Sequence, residues 1–377
     1  MMKKVLIGLV VAVLLLSFSL PSFAEEPIKI GLITPLTGAV STFGQSVRNS
    51  AVLAVDTINE RGGIHGRMID LIVLDDQGDA TEAANATRRL IDRDEVVLII
   101  GPVITPCVLA AAPIAQDAGI PLITPTGTGD TITEIGDMIF RAAYKDSFQG
   151  QMMARFAREV LELEQAAIIY DVANDYSTGL MNSFRDTFIE LGGEIVRVES
   201  YTTNDSDFSA QLTSIAMRQP DALFVPDYYT AAGPIAMQSR QLGIDATLLG
   251  VDGWDSPAIH ELAGGYEVGA YIVNHYSPDD ETPSTQEFIS VFSARYPDAP
   301  DALAALAYDA VQIVEAALNA TGGSTDPQEL KTALGTVSNI QAATGTINMD
   351  PEGTPVKAVV ILQMTADGSI LVDKVEP

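Results

Sequence analysis

Short runs of β-branched and aliphatic residues alternate with longer segments of 3.6-residue periodicity along almost the whole chain, and this alternation limits the fold more than any other feature. Parallel strands cannot be joined by a tight turn, so each needs a crossover, usually a helix. The runs are Ile28 to Ile33, Ile69 to Leu74, Val97 to Ile100, Pro121 to Ile123, Ala167 to Tyr170, Ala222 to Val225 and Thr247 to Leu249. Several lack polar alternation, which fits strands covered by helices on both faces. Between the first two, Val47, Ala51, Val55 and Ile58 share one helical face and Gly62-Gly63 stops the helix, giving a βαβ unit. Local signals start later helices: Ser284 with Glu287 reads as a capping box, and Asp326-Pro327 with Glu329 as N-cap, first-turn proline and N3 acid.

The alternation restarts after Phe140-Arg141-Ala142-Ala143-Tyr144, where a helix from Ser147 to Leu161 leads into a second series. The end of the chain, with Thr344 to Asn348, Val356 to Met364 and Ile370 to Val375, reads as β-rich. A chain of 377 residues is too long for one ordinary core, and neither a solenoid period nor a low-complexity linker is present. The expected architecture is therefore α/β, with two doubly wound lobes joined by short strands.

Lys3 and Lys4 precede a sixteen-residue apolar stretch, Val5 to Leu20, and Pro21-Ser22-Phe23-Ala24 follows with small residues where a signal peptidase reads. The stretch is shorter than the roughly 20 residues that span a bilayer, so residues 1–24 are expected to be a cleaved export signal. No second membrane span is expected. Without Lys3 and Lys4 the chain has 19 basic against 50 acidic residues, a charge near −31 that repels nucleic acid and anionic membranes. Cys107 is the only cysteine, which rules out an internal disulfide and is expected to be a buried, inert thiol.

Enzymatic signatures fail one by one. The chain has no G-x-x-x-x-G-K-[ST] loop, no G-x-S-x-G elbow and no H-E-x-x-H helix. Gly127-Thr128-Gly129 begins like a dinucleotide fingerprint, but Ile132 stands at the third glycine. His65, His260 and His275 are far apart without cysteine partners, so they are expected on the surface or in loops, and no metal or cofactor is implied. Asp75-Asp76-Gln77-Gly78-Asp79 lacks calcium-loop spacing and reads as a solvated strand-end loop.

What remains is a set of polar loops at strand C-termini, where open parallel sheets place ligands. Pro102 to Pro106, with Thr105, follows one strand, and Thr124-Pro125-Thr126-Gly127-Thr128-Gly129 follows the next. Their hydroxyls and the amides of the helices that follow suit a carboxylate, although threonine also serves simply as a cap. In the second series, Pro226-Asp227-Tyr228-Tyr229 and Gly250-Val251-Asp252-Gly253-Trp254 occupy equivalent positions. Asp252, between two glycines, is either a turn residue or a partner for an ammonium group. Tyr228, Tyr229 and Trp254 either line a mouth or pack in the core, and Tyr308, inside the helix Ala302 to Asn319, is expected to be structural.

Five segments together resemble the type I periplasmic amino-acid-binding proteins typified by the leucine/isoleucine/valine-binding protein: Ile30-Gly31-Leu32-Ile33-Thr34-Pro35-Leu36-Thr37-Gly38, Ile58 to Gly66, Leu122-Ile123-Thr124-Pro125, Asp207-Phe208 and Ala307-Tyr308-Asp309-Ala310. The resemblance covers nearly the whole chain after residue 24. It implies two Rossmann-like lobes joined by a three-crossing hinge, lobe one being 25–145 and 276–352, lobe two 146–275 and 353–377. The family's carboxylate- and ammonium-binding positions fall on Thr105, Thr126 and Thr128, its lobe-two tyrosine on Tyr228, its ammonium-binding acid on Asp252 and its first-loop aromatic on Phe43. Asp252 is shorter than the glutamate of the leucine-binding member, and Gly78 and Ile104 stand where that member has its disulfide. The resemblance further implies a monomeric, non-enzymatic binding component of an ABC importer in the periplasm, with a permease as partner and a branched-chain or other apolar amino acid as ligand. A sensory role, an enzyme acting on amino-acid derivatives, and an amide, sugar or aromatic-acid ligand are the alternatives on the same fold.

Overall fold

The computed structural model describes residues 26–375, so the expected export signal lies outside the described residues. The strands are β1 (Ile28–Thr34), β2 (Ile69–Asp75), β3 (Leu98–Ile100), β4 (Leu122–Thr124), β5 (Ile139–Arg141), β6 (Gln165–Asp171), β7 (Glu194–Tyr201), β8 (Ala222–Phe224), β9 (Thr247–Gly250), β10 (Tyr271–Asn274), β11 (Ile340–Ala342), β12 (Gly345–Met349), β13 (Pro355–Val356), β14 (Val359–Thr365) and β15 (Gly368–Val375). They form a five-stranded sheet of order β2-β1-β3-β4-β5, a seven-stranded sheet of order β15-β14-β10-β9-β8-β6-β7 and a small β11-β12-β13 sheet. The first sheet is parallel throughout, as is the second from β10 to β7, with β14 and β15 added antiparallel at its edge. Winding reverses between β1 and β3 in one sheet and between β6 and β8 in the other, so both lobes are doubly wound.

The local signals explain most elements. Asp326 caps its helix by accepting from the Gln328 and Glu329 amides, at 2.9 and 3.0 Å. Gly62 and Gly63 stop the helix Ser41–Glu60 with φ of 100° and 70°. The Ser284 capping box does not form, because Pro283 starts the helix Pro283–Arg295 one residue earlier and Thr282 is the cap position. The expected helix from Ser147 runs as Asp146–Arg155 and widens into a π-helical turn at Phe156–Val160. The β7 and β10 strands, absent from the sequence reading, are short or edge strands; β7 has Glu194, Val198 and Ser200 exposed and carries the half-buried polar residues Arg197 and Glu199, so it shows no clean apolar run. By length and composition alone the helix Ala302–Ala320 is long and apolar enough to cross a membrane. It is instead a core helix, packed against the helix Ser41–Glu60.

Where the chain passes between sheets, buried charge ties the passages together. The Arg141 amide donates to the Gly353 carbonyl at 3.0 Å. Lys357, 3% exposed, donates to Thr344 Oγ1 at 2.7 Å and to the Ala142 carbonyl at 3.3 Å. Burial pushes its ammonium down to about 8, and Asp309 opposes that shift. The Asp309 carboxylate accepts the Ala343 amide at 2.7 Å and the Thr344 hydroxyl at 2.5 Å. Removing one member of such a group leaves the other buried and uncompensated, at a cost of about 3 to 5 kcal/mol. Lys357→Met alone should therefore lower urea-unfolding stability by about 3 kcal/mol or more. Adding Asp309→Asn should cost far less than the sum of the two single changes; strict additivity would show the pair to be uncoupled.

Candidate functional site

The C-terminal edges of the two parallel sheets face each other across a cavity with an empty volume of about 370 Å³. Phe43 reaches it from beyond β1, Thr105 from beyond β3, Thr126 and Thr128 from beyond β4, Tyr228 from beyond β8 and Asp252 from beyond β9. All six residues singled out in the sequence thus meet in one place. Tyr176, Gly253 and His275 join them, and Val103, Ile104, Ala302, Leu303 and Leu306 form an aliphatic wall.

The threonine loop owes its shape to its glycines. A Cβ on Gly129 would lie 2.5 Å from the Thr105 methyl, so only glycine lets the two loops pack this closely. Arg141, fully buried, donates to the Thr128 and Gly129 carbonyls at 2.8 Å each and fixes the loop from below. Burial lowers its guanidinium to about 10, with Asp146 and Asp130 among the acids opposing the shift. Thr105 Oγ1 accepts the Gly129 amide at 3.3 Å, which leaves its hydrogen free to donate. Thr126 donates to the Val103 carbonyl at 2.6 Å. Ile132, at the would-be third glycine, is buried in the core and takes no part.

On the facing side, Asp252 is held on three sides. Its Oδ1 accepts the Tyr176 hydroxyl at 2.5 Å, its Oδ2 lies 3.3 Å from His275 Nε2, and its amide donates to Gln149 Oε1 at 2.9 Å. The same Tyr176 oxygen accepts the Gly253 amide at 3.0 Å, and its ring stacks on Tyr228 with centroids 4.7 Å apart. Burial pushes His275 down to about 4, so it is a neutral imidazole that donates through Nε2. A carboxylate so braced, opposite the free Thr105 hydroxyl hydrogen and beside an aliphatic wall, is suited to a small zwitterion with an apolar side chain.

Several sequence expectations are corrected here. His275 stands in a loop, as expected, but not at the surface: it is buried, stacked on Tyr144 at 3.7 Å and hydrogen-bonded within the site. His65 and His260 are exposed or partly so. Asp76 is fully buried rather than solvated, and burial raises its carboxyl to about 6. Beside it, Cys107 is buried and its thiol is pushed well up by burial and by Asp76, as an inert cysteine requires. Trp254 and Tyr308 do not line the cavity; Trp254 packs in the core and donates to the Val225 carbonyl at 3.0 Å. Tyr176 lies in the first turn of the helix Asp175–Glu190 that follows β6, so reading past the loop into the next helix was needed to find it. His275 follows β10, a strand missing from the sequence reading. Among the described residues no group of three metal-ligating side chains occurs.

The contacts across the cleft are direct. Tyr229 donates to the Ala39 carbonyl at 2.9 Å, the Thr42 and Ser256 hydroxyls lie 2.9 Å apart, and Asp255 accepts the Ala302 amide at 2.9 Å. The Phe43 ring meets Tyr228 and Tyr229 edge-on, at 6.0 and 4.9 Å.

A family model described as periplasmic binding protein matches residues 27–369. Among solved structures, the chain is similar to the leucine binding protein LivK of Thermotoga maritima, with TM-score 0.89 and 35% identity, covering 93% of this chain and 99% of that one. It is also similar to the branched-chain amino acid transporter substrate binding protein LivJ of Streptococcus pneumoniae, solved with isoleucine, with TM-score 0.88, 32% identity and coverage of 93% and 100%. In sequence, the Leu/Ile/Val-binding protein BraC3 of Rhizobium johnstonii is 29% identical over 345 residues, 91% of this chain and 92% of its own length. Two doubly wound lobes, a cavity shared between their facing edges and a match over nearly the full described length lead to one conclusion: the chain belongs to the periplasmic binding protein family, whose members are the solute-binding components of ABC importers.

Proposed function

We propose that the protein captures an α-amino acid with a branched or otherwise apolar side chain, outside the cytoplasmic membrane, and delivers it unaltered to an ABC permease. The observation that carries this reading is the placement of the Asp252 carboxylate, braced by Tyr176 and His275, across one cavity from Thr105, Thr126 and Thr128. An ammonium group pairs with the acid, a carboxylate with the Thr105 hydroxyl and backbone amides, and the side chain with Leu303, Leu306 and their neighbours. Residues 1–24 direct export and are removed. Lobe one comprises 25–145 and 276–352, lobe two 146–275 and 353–377, and ligand stabilises their closed arrangement. The protein acts as a monomer and binds without turnover, since the cavity offers an acid and hydroxyls but no activated nucleophile.

Three outcomes are expected. Asp252→Asn, which keeps the shape and removes the charge, should weaken binding of leucine or isoleucine by about 10- to 150-fold in calorimetry, the equivalent of about 1.5 to 3 kcal/mol for one charge-assisted hydrogen bond. The deaminated acid of the same side chain should bind the wild type poorly, and Asp252→Asn should erase most of that preference. Equal affinity of wild type and Asp252→Asn for the amino acid would remove the role assigned to Asp252. Solution scattering should show a smaller radius of gyration at saturating ligand, and an unchanged radius would count against closure. Finally, protonated His275 would compete with the ammonium group for Asp252. Affinity should therefore fall as pH drops toward His275's pKa of about 4, and His275→Gln should flatten that part of the curve.

A further inference from the structure

The ligand reading leaves a second acid beside the cavity unused. Asp146 opens the helix Asp146–Arg155, is fully buried and donates its amide to the Thr128 carbonyl at 2.9 Å. Neither of its carboxyl oxygens has a hydrogen-bond partner. Buried carboxylates are normally satisfied by several donors, and an ionised one without any is strongly disfavoured. The groups facing it from neighbouring elements deepen that penalty. Asp252 and Asp130 are like charges, and the Tyr176 and Tyr228 phenols are neutral. Arg141 is a cation in its field, but its two terminal nitrogens are occupied by the Thr128 and Gly129 carbonyls. Burial above all holds the Asp146 carboxyl well above the usual carboxylate range; the nearby Thr128 hydroxyl pulls it back more than Asp252 or Asp130 push it up, and Arg141 pulls least.

We propose that Asp146 is a proton-exchanging positioning residue of the ligand site, protonated while no cation is present and ionised once an ammonium group settles beside Thr128 and Asp252. This rests on the ammonium reading of Asp252. Thr128 connects the two places, because it lines the cavity and stands beside Asp146. A bound cation offsets the Asp252 charge that repels Asp146 and adds an attraction of its own, and both effects favour the carboxylate. The acid O–H bond then breaks, its electron pair stays on the carboxylate, and the proton passes to a buffer base. Around the ammonium group the charge is then −1 before binding (Asp252) and −1 after it (Asp252 and Asp146 against one ammonium), while the ligand carboxylate is met separately by the threonine loop. By linkage, release of a proton on binding means that affinity for an amino acid rises with pH across the titration of Asp146.

Calorimetric titration of the full mature protein with L-leucine at pH 7, in phosphate and in Tris, reads the exchange directly, because the two buffers differ in ionisation enthalpy. The wild type should show a buffer-dependent enthalpy corresponding to proton release, and the weaker leucine binding of Asp146→Asn should show that dependence largely gone. In parallel, ¹³C carboxyl NMR of aspartate-labelled, ligand-free protein should show a neutral carboxyl at pH 7 that is missing in Asp146→Asn and becomes ionised on adding leucine in the wild type. A buffer-independent enthalpy in a wild type that binds leucine would overturn the proposal, as would an Asp146 already ionised in the free protein. Both readings on the wild type remain decisive should Asp146→Asn fail to fold. Failure of leucine and its relatives to bind would instead remove the ammonium reading of Asp252. That outcome is distinct, because the Asp146 titration is read without any ligand.

Discussion

Parallel pairing is the constraint on which everything else here depends. A strand that runs beside its neighbour in the same direction must be reached by a crossover, so every strand of the sheet ends at the same edge. Loops, helix N-termini and free amides gather there, while the other edge receives only the returning connections. Two such sheets set edge to edge bring the ends of β1, β3 and β4 within reach of the ends of β6, β8, β9 and β10. The site requires no further invention of architecture: residues far apart in sequence, from Phe43 to His275, meet because each stands just past the end of a strand.

That regularity is why so much was legible in advance. Continuous apolar runs marked the strands buried on both faces, and the residues after them were the natural candidates for the cavity. Thr105, Thr126, Thr128, Tyr228 and Asp252 could be named because their strands were visible. His275 was misjudged because β10 is four residues long and its end was not recognised. Its burial and its contact with Asp252 are also long-range facts that no local pattern encodes. Asp76 was misread for a related reason: a polar string suggests solvent, but the side chain turns beneath the loop toward Cys107. The Ser284 cap failed on a shorter scale, where the fixed φ of Pro283 outranked the hydroxyl in setting the first turn.

Burial of charge follows a different logic at the passages between lobes than in the cavity. Lys357 and Asp309 satisfy their neighbours, Ala142, Ala343 and Thr344, and so define where the chain segments lie relative to one another. Around the cavity, the Tyr144 and Tyr228 hydroxyls, His275 Nδ1, Gln149 Nε2 and both Asp146 oxygens lack partners in the described structure. Buried atoms elsewhere, such as Ser50 Oγ and Tyr276 Oη, also lack partners, but these six surround one cavity, and unmet hydrogen-bonding capacity there is what a polar guest, with its own donors and acceptors, would answer.

The three polar contacts that span the cleft, from Tyr229 to Ala39, Thr42 to Ser256 and Asp255 to Ala302, involve no ligand atom. In the closed arrangement they act as latches whose contribution adds to that of the ligand. Their strength therefore enters the residence time of the cargo more than the rate of its capture, since they form only after the lobes have met and must all break before the lobes part. A receiver that takes the cargo must supply the force that opens them, so unloading is set by the surfaces that pull the lobes apart and not by the chemistry of the molecule between them.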